Sequence, residues 1–295
     1  MKNLLIIKVA GGFGNQLFMI TNALSLEKDY DLQLIIDSKS YDNHRLSVVN
    51  YKIFNKLRFS NNIDYSFDTS KYCVQIIKQN SFKYQKIILF NNKESNKQIK
   101  QIYILDKENS GYFQSYKFFN NNIDFIKSKL FIDLNLINKL KKKLKEIGPH
   151  ISIHFRLTDY IGEKNLIHKV VDIDYYIKIL FKYNLDKYKI ILFTDDIPTA
   201  KSMLSEYIDI DNIIIANDIV LNDEDQLFFL ACTQIRICPN STYSLWSCYL
   251  NEMYNFTQNS LYYFPLKWFG PNGVKDYDIY DLIPKSNPRY KLITV

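Results

Sequence analysis

The spacing of apolar and polar residues along this chain predicts strands and helices in alternation. Residues 4–7 are all apolar, and residues 17–24 carry apolar side chains at helical intervals after a glycine-rich turn. A second apolar run, residues 32–36, predicts a strand that ends at Asp37. Such a strand, turn and helix can bring backbone close to a ligand, because glycine has no Cβ and the first N–H groups of a helix can face an anion.

The segment from residue 60 to residue 110 has a weaker pattern and is rich in Asn, Lys, Ser and Tyr. Two short apolar runs within it, residues 87–90 and 102–105, predict further strands.

The second half of the chain alternates more regularly. An amphipathic helix over residues 136–147 ends at Gly148 and Pro149, which predicts a domain boundary between residues 1–147 and 148–295. Strands followed by helices predict parallel sheet. We therefore expect an α/β protein of two doubly wound domains that form a cleft. The strands are predicted at residues 151–155, 189–193 and 235–238, and the helices at 175–181, 223–231 and 242–249.

Composition and charge narrow the class of protein. The 295 residues are 47% hydrophobic and 23% charged, so a substantial core is expected. The net charge of +7 suits an anionic ligand or surface. It does not demand nucleic acid, for which no recognised motif is present. The densest basic run, residues 141–143, lies in the predicted amphipathic helix and is interpreted as a solvated face.

The four cysteines show neither a C-x-x-C pair nor zinc-ligand spacing. Cys232, Cys238 and Cys248 lie in apolar surroundings and are expected to be reduced core residues, which favours a reducing compartment. No apolar run approaches the length of a membrane span. We expect a cytoplasmic protein whose basic surface could contact the cytoplasmic membrane face.

Polar clusters follow three of the predicted strands. His154 and Arg156 point to one face of a strand end, and a guanidinium fits two phosphate oxygens. Residues 194–196, Thr-Asp-Asp, follow the next strand, and residues 240–242, Asn-Ser-Thr, open a helix. Ligands of parallel sheets bind outside the carboxyl ends of strands. These groups suit a nucleoside diphosphate: positive groups for the phosphates and a carboxylate for the nucleoside.

Each of these groups also has a purely structural interpretation. Arg156 could form a surface ion pair, and His154 could be a satisfied core histidine. Either aspartate of residues 194–196, or one residue of 240–242, could simply cap a helix. Asp37, at a strand end in the first half, is a candidate general base, and a loop cap is an equally good interpretation.

Six blocks of sequence resemble the inverting α-1,2-fucosyltransferase family, and they occur in the order of that family. In chain order they are GGFGNQLF at 11–18, GYFQSYKFF at 111–119, HFRLTDY at 154–160, FTDD at 193–196, NSTYSLW at 240–246 and PLKWF at 265–269.

The resemblance implies a GT-B-like α/β fold, with two Rossmann-like domains whose parallel sheets face each other across a cleft. Residues 1–147 would form the acceptor-side domain and residues 148–295 the nucleotide-sugar domain, with a C-terminal tail that could pack back on the first domain. It implies transfer of L-fucose from GDP-β-L-fucose to a glycan hydroxyl, with inversion, and family analogy favours the 2-hydroxyl of galactose. It implies no metal and no other cofactor. The expected partners are a nucleotide sugar and a glycan acceptor.

The resemblance also assigns roles to residues. Arg156 would bind the diphosphate, His154 would support that site, and Asn15 would lie near the reacting centre. The acceptor would contact Gln114 and Ser115. The residues expected to bind the donor are Gly11, Gly12, Gly14, Gln16, Asp159, Thr194, Asp195, Asp196, Asn240, Ser241 and Thr242.

Three positions depart from the family pattern. Leu157 replaces a second arginine, Thr158 replaces a glycine, and Tyr116 replaces a commonly acidic residue. Leu157 should point away from Arg156 on a strand, so diphosphate binding could survive while donor selection changes. Two other functions therefore stay open: a related glycosyltransferase with a different nucleotide sugar, and a non-catalytic protein that binds a nucleotide or sugar.

Overall fold

A computed structural model describes residues 2–39, 47–67, 71–79, 81–89, 100–106, 111–160 and 166–294, with only the backbone of Lys100, Asp106 and Asp159. The chain divides into two compact units. The first unit comprises residues 1–132 and 276–282, and the second comprises residues 133–275 and 283–295.

The described strands and helices alternate along most of the chain. The strands are β1 (Leu4–Lys8), β2 (Gln33–Asp37), β3 (Phe59–Ser60), β4 (Tyr72–Ile76), β5 (Lys100–Asp106), β6 (His150–Phe155), β7 (Lys189–Thr194), β8 (Ile213–Ile215), β9 (Ile235–Ile237), β10 (Leu261–Pro265) and β11 (Tyr290–Ile293). The α-helices are α1 (Phe13–Asp29), α2 (Ile123–Lys129), α3 (Leu134–Ile147), α4 (Ile173–Leu180), α5 (Ile197–Leu204), α6 (Asp223–Cys232), α7 (Thr242–Tyr254) and α8 (Ile279–Leu282).

The sheet of the first unit is parallel, in the order β3-β2-β1-β5-β4. Its central strand β1 is apolar because it is covered on both faces: Leu5 and Ile7 are buried on one face and Ile6 on the other. Helix α1 is buried over most of its circumference, which explains why its sequence is apolar on nearly every side.

The sheet of the second unit is also parallel, in the order β11-β10-β9-β6-β7-β8. If these six strands are renumbered 1 to 6 in chain order and read from β8 to β11, the order is 3-2-1-4-5-6, as in the Rossmann fold. The chain winds in one direction from β6 and in the other from β9, so the direction reverses between these two strands. Ligands of such sheets bind outside the carboxyl ends of the strands at that reversal. The predicted α/β fold with two Rossmann-like parallel sheets is confirmed.

The boundary between the units differs from the predicted one. It lies between residues 132 and 133, so α3 belongs to the second unit, where it packs against α6. The helix begins at the N-cap Asp133, whose carboxylate accepts from two backbone N–H groups, and ends at Gly148, with φ of 84°. The Gly148-Pro149 signal therefore marks the end of a helix and not the end of a domain.

Residues 276–282 join the first unit through hydrogen bonds of two aspartates. The carboxylate of Asp281 accepts from Lys117 Nζ at 2.5 Å and from the backbone N–H of Tyr84 at 2.7 Å. Asp276 accepts from the Ser81 hydroxyl at 2.6 Å. Asp281 is 4% exposed, whereas the Lys117 side chain is 36% exposed, so only the carboxylate end of this ion pair is shielded from solvent.

Other expectations have mixed outcomes. Of the predicted strand 87–90, residues 87–89 form no strand and Phe90 lies outside the described residues. Residues 102–105 lie within β5, as predicted. The helix predicted over residues 223–231 is present as α6, and its N-cap is Asn222, the residue before it. The three cysteines of the second half are buried and free, as expected for reduced core residues. Among the described helices, none has the length and apolar character needed to span a membrane.

Candidate active site

The carboxyl end of β6 presents His154 and Arg156 on one side of the second sheet. Phe155, between them, points into the core and packs against Tyr176, with ring centroids 4.2 Å apart. The side chain of Arg156 is 25% exposed, whereas His154 is nearly buried. The alternation of a buried apolar residue with two polar ones is what places both polar side chains at the strand end.

His154 is held by the first turn of α7. Its Nδ1 shares a hydrogen bond with the Ser244 hydroxyl, and its ring lies edge-on to Tyr243 with centroids 5.6 Å apart. Burial, reinforced by the nearby Arg156 charge, lowers the pKa of His154 to about 3. The imidazole is therefore neutral near pH 7, with one N–H donor and one acceptor nitrogen.

Asp195, which follows β7, fixes the backbone that carries Arg156. One carboxylate oxygen accepts from the Leu157 backbone N–H at 2.8 Å. The other accepts from the Thr158 hydroxyl at 2.8 Å and lies 3.1 Å from a terminal guanidinium nitrogen of Arg156. Asp195 thus bridges the ends of β6 and β7 and orients the arginine. It also lines the cavity described below, and its predicted contact with a base or ribose stays a prediction.

Asp196 caps α5, the structural alternative that the sequence left open. Its carboxylate accepts from the Thr199 backbone N–H at 3.1 Å and from the Thr199 hydroxyl at 2.7 Å. These hydrogen bonds hold the pKa of Asp196 below its usual value. Thr194 is buried, and its hydroxyl accepts from the Asp196 backbone N–H at 3.1 Å. Both residues shape the turn after β7.

An open cavity of about 420 Å³ lies beside these residues in the second unit. This volume is within the range of small-molecule sites, roughly 300–1,000 Å³. Leu221, 85% exposed, is part of its apolar wall. The polar side chains in the wall are His154, Arg156, Thr194, Asp195, Asp196, Asn217, Asp223, Gln226 and Tyr243.

The predicted cluster at residues 240–242 is only partly available to a ligand. Asn240 is buried, and its amide donates to the carbonyls of Lys169 at 3.1 Å and Trp268 at 2.7 Å. It therefore joins loops and does not face a phosphate as predicted. Ser241 is the N-cap residue of α7, but its side chain makes no capping hydrogen bond. Thr242 begins the helix and is half-buried.

Asp159 lies in the 3₁₀ turn Thr158–Tyr160, directly after Arg156 and Leu157. Its side chain is outside the described part of the structure, so its predicted role in donor binding remains a prediction.

In the first unit, the glycine turn between β1 and α1 has one constrained position and one open position. Gly11 has φ of 85°, and a Cβ there would lie 2.8 Å from the Tyr112 ring. No described residue lies within 4 Å of a Cβ built at Gly12, which leaves room among these residues for the close approach of a ligand. Gly14 is buried in the first turn of α1. Gln16 is 2% exposed and donates to the Gly11 carbonyl at 2.9 Å, so it stabilises the turn and does not reach a donor as predicted.

Two of the predicted residues in the first unit meet directly. Gln114 Nε2 donates to Asn15 Oδ1 at 2.7 Å, and Asn15 remains half-buried. Ser115, by contrast, is 1% exposed and has internal partners. Its hydroxyl donates to the Asp281 carbonyl at 2.8 Å and accepts from the Lys117 backbone N–H. Ser115 caps a 3₁₀ turn, which corrects its expected contact with the acceptor.

Asp37 is buried at the end of β2, with 1% of its surface exposed. Its carboxylate accepts from the Lys39 backbone N–H at 3.0 Å and from the Tyr65 hydroxyl at 2.6 Å. The Lys8 ammonium lies 3.9 Å from the Tyr65 ring centroid. Because an acceptor hydroxyl could not reach the buried carboxylate, the structure favours the loop cap over the predicted general base.

A family model described as glycosyl transferase family 11 matches residues 107–257, just over half of the chain. The chain belongs to glycosyl transferase family 11. It is therefore a glycosyltransferase, an enzyme that takes a nucleotide sugar and a glycan acceptor, and the resemblance to the α-1,2-fucosyltransferase family is confirmed. The matched residues include the ends of β6 and β7 and the start of α7.

Two relatives from Escherichia coli align over nearly the whole glycosyltransferase. An O-antigen biosynthesis glycosyltransferase, WbnK, is 26% identical over 90% of this chain and 95% of its own length. An alpha-1,2-colitosyltransferase is 24% identical over 94% of this chain and 96% of its own length. Among solved structures, the fucosyltransferase NodZ from Bradyrhizobium is 12% identical, with a TM-score of 0.48 over 84% of this chain and 92% of its own.

Four residues of the site in this glycosyltransferase were not among the predicted ones. Tyr243, Asn217 and Leu221 line the cavity, and Ser244 lies behind it, bonded to His154. Ser244 and Tyr243 lie within the NSTYSLW block, and their positions in the first turn of a helix after a strand were the signal that could have identified them. Asn217 and Leu221 follow β8, a strand of three residues that leaves almost no periodicity in the sequence. No sequence pattern marks these two.

Proposed function

We propose that this glycosyltransferase moves L-fucose from GDP-β-L-fucose to the 2-hydroxyl of a galactose residue in a glycan, with inversion and without a metal ion. The observation that carries the proposal is the Arg156 guanidinium, which Asp195 holds in the wall of the 420 Å³ cavity at the carboxyl end of β6. Family membership supports the class of reaction, and the geometry supports the placement of the diphosphate.

Arg156 would stabilise the charge that develops on the leaving GDP. As the bond from the anomeric carbon to the diphosphate breaks, negative charge grows on the phosphate oxygens and the sugar acquires oxocarbenium character. A guanidinium held in place by a carboxylate meets that charge without reorganising. The N–H groups in the first turn of α7, to which the Ser241 side chain makes no capping hydrogen bond, would add to this stabilisation.

His154 would contribute as a neutral hydrogen-bond donor. If Ser244 donates its hydroxyl proton to Nδ1, the imidazole proton resides on Nε2 and can be donated to an oxygen of the diphosphate. A pKa of about 3 makes His154 a poor acceptor for the proton of the attacking hydroxyl near pH 7. The residue is therefore assigned to the leaving group.

A colitosyl donor is the second candidate, because Leu157 stands where the fucosyltransferase pattern has a second arginine. The Leu157 side chain is 2% exposed and packs in the core of the second unit, so position 157 brings no charge to the cavity. One of the relatives is itself an alpha-1,2-colitosyltransferase. The two candidates therefore differ in the donor sugar and share the site.

The test is a donor-by-acceptor assay with the purified full chain. GDP release is measured with GDP-fucose and with GDP-colitose, in the presence and absence of lactose, and product linkage is determined by NMR. The proposal predicts an α-1,2-linked fucosyl product and faster GDP release with GDP-fucose. Preference for the colitosyl donor would support the second candidate, and GDP binding without transfer from any donor would contradict both.

The same assay tests whether the reaction is independent of a metal ion. Turnover is expected to be unchanged after treatment with EDTA, because Arg156 and helix N–H groups are proposed to supply the positive charge. Loss of activity in EDTA that Mg²⁺ or Mn²⁺ restores would refute this part of the proposal.

A further inference from the structure

We infer that the first unit carries a separate saccharide-binding cavity, which holds a sugar residue of the acceptor glycan away from its reacting end. The inference rests on the proposed transfer to a glycan. The cavity has a volume of about 450 Å³ and lies between the second half of α1 and residues near 84–87 and 117–121.

Asn22 is the polar group that points to a ligand in this cavity. It lines the wall, is 1% exposed, and its Nδ2 has no hydrogen-bond partner among the residues that the structure describes. The adjacent buried Thr21 shows the contrast, because its hydroxyl donates to the Leu17 carbonyl at 2.7 Å. A buried amide without a partner is unfavourable, and a ligand hydroxyl oxygen would satisfy it.

The rest of the wall has the chemistry of a sugar site. Tyr84 and Phe118 place two rings at the cavity with centroids 4.8 Å apart, which suits the C–H face of a pyranose. Asp29 adds an exposed carboxylate that can accept from hydroxyl groups. The ammonium of Lys117 is bound to Asp281 at 2.5 Å, so its charge is already compensated. Lys86, a second lysine of the wall, is offset in formal charge by Asp29, which favours a neutral sugar over a phosphate.

Two segments of the chain each carry one residue of the Asn15–Gln114 pair and part of the cavity wall: helix α1 and residues 114–118. Asn22 lies seven residues after Asn15, on the same face of α1 and about 10 Å further along the helix axis. Phe118, in the wall of the cavity, follows Gln114 by four residues. An oligosaccharide whose reacting galactose lies near Asn15 could therefore place a later sugar in the cavity.

The test compares galactose-terminated oligosaccharides of two to five sugars, in wild-type protein and in Asn22→Ala. Saturation-transfer NMR without donor measures binding, and acceptor KM and kcat are measured with GDP-fucose. We expect Asn22→Ala to raise the KM of the longer acceptors roughly fivefold to tenfold, the effect of one lost hydrogen bond, and to leave the disaccharide KM and kcat unchanged.

Tyr84→Ala provides a second variant in case Asn22→Ala folds poorly, because the Tyr84 backbone bond to Asp281 does not depend on the side chain. The same dependence on acceptor length is expected. Thr21→Val is the matched control: it alters a buried polar residue of the same helix whose hydroxyl bonds within α1, and acceptor KM should not change.

The outcomes separate this inference from the proposed function. A KM that is independent of acceptor length in wild type, or equal in wild type and both cavity variants, would overturn the cavity as an acceptor site and indicate that it holds water only. Binding of oligosaccharides that depends on Asn22, with no transfer from GDP-fucose, would retain the cavity and refute the proposed donor.

Discussion

The Asp195 carboxylate and the Arg156 guanidinium, 3.1 Å apart, join the ends of two neighbouring parallel strands. The same carboxylate accepts from the Leu157 backbone N–H and the Thr158 hydroxyl. Arg156 is therefore oriented both through its side chain and through the backbone that follows it. A quarter of the Arg156 side chain is exposed, so a ligand in the cavity can reach it.

Replacing Arg156 with Ala should lower kcat for fucosyl transfer about 10²- to 10³-fold, because one preorganised donor to the leaving group is removed. Steady-state GDP release measures this. Arg156→Lys should be intermediate, because it keeps the charge and loses the planar fork. Lys187→Ala, an exposed cation of the same unit, is the control and should match wild type. Rates near wild type for Arg156→Ala would remove the residue from the mechanism.

Asp195→Asn should lower kcat without abolishing the fold. The amide can still accept one hydrogen bond, but the charge that orients Arg156 is lost. We expect a double-mutant cycle of Asp195→Asn and Arg156→Ala to show strong non-additivity in kcat, because both changes remove the same oriented group.

The control for Asp195→Asn is Asp172→Asn, at the N-cap of α4, where the carboxylate accepts from the Asp174 backbone N–H. It should leave kcat unchanged. If the effects of Asp195→Asn and Arg156→Ala on kcat add, Asp195 does not act by orienting the arginine.

The stability of the protein should rise with pH between about 3 and 6.5 through His154. Its pKa is about 3 in the folded state, against an ordinary value of 6.5, so in this window the unfolded state binds more protons. One such group contributes a slope of up to about 1.4 kcal/mol per pH unit. The contribution is fully present above pH 6.5 and is lost as the pH falls toward 3.

Urea unfolding of wild type and His154→Gln across this range measures that slope. His150, whose pKa is also lowered by burial, contributes equally to both proteins and cancels in the difference. Equal slopes in the two proteins would mean that His154 is protonated in the folded state.

Gly11→Ala should destabilise the protein by about 1–3 kcal/mol, because φ of 85° strains any residue that has a Cβ. Gly12→Ala is the matched control, since its φ is −66° and an added Cβ would meet no atom of the described residues within 4 Å beyond its chain neighbours. Urea denaturation compares the free energy of unfolding. Equal stability of the two variants would show that the turn relaxes at no cost.

The sequence was sufficient to predict the elements with strong periodicity and the strand ends that form the cavity. The buried runs of β1, β6 and β7 and the glycine turn are all identified from the sequence. Leu157 is buried, which agrees with its expected orientation away from Arg156, although β6 ends two residues before it, at Phe155. Strand β4, at the edge of its sheet, and the three-residue β8 were not predicted. Short or edge strands leave too little apolar pattern to stand out.

Side-chain partners were the part that could not be predicted. Gln16, Ser115 and Asn240 all lie in blocks that resemble the family, yet each is buried and bonded to a backbone carbonyl. A motif identifies the residue type at a position, but the competing partner often comes from a distant part of the chain. Ser115 and Asp281, for example, are 166 residues apart.

The return of residues 276–282 to the first unit has a practical consequence for anyone dissecting this enzyme. A recombinant fragment that stops at residue 132 would lack Asp281 and leave Lys117, Ser115 and the Tyr84 amide without their acceptors. Neither half can be excised as one continuous stretch of polypeptide. An isolated first unit would need residues 276–282 joined to it through a linker, or added as a separate peptide.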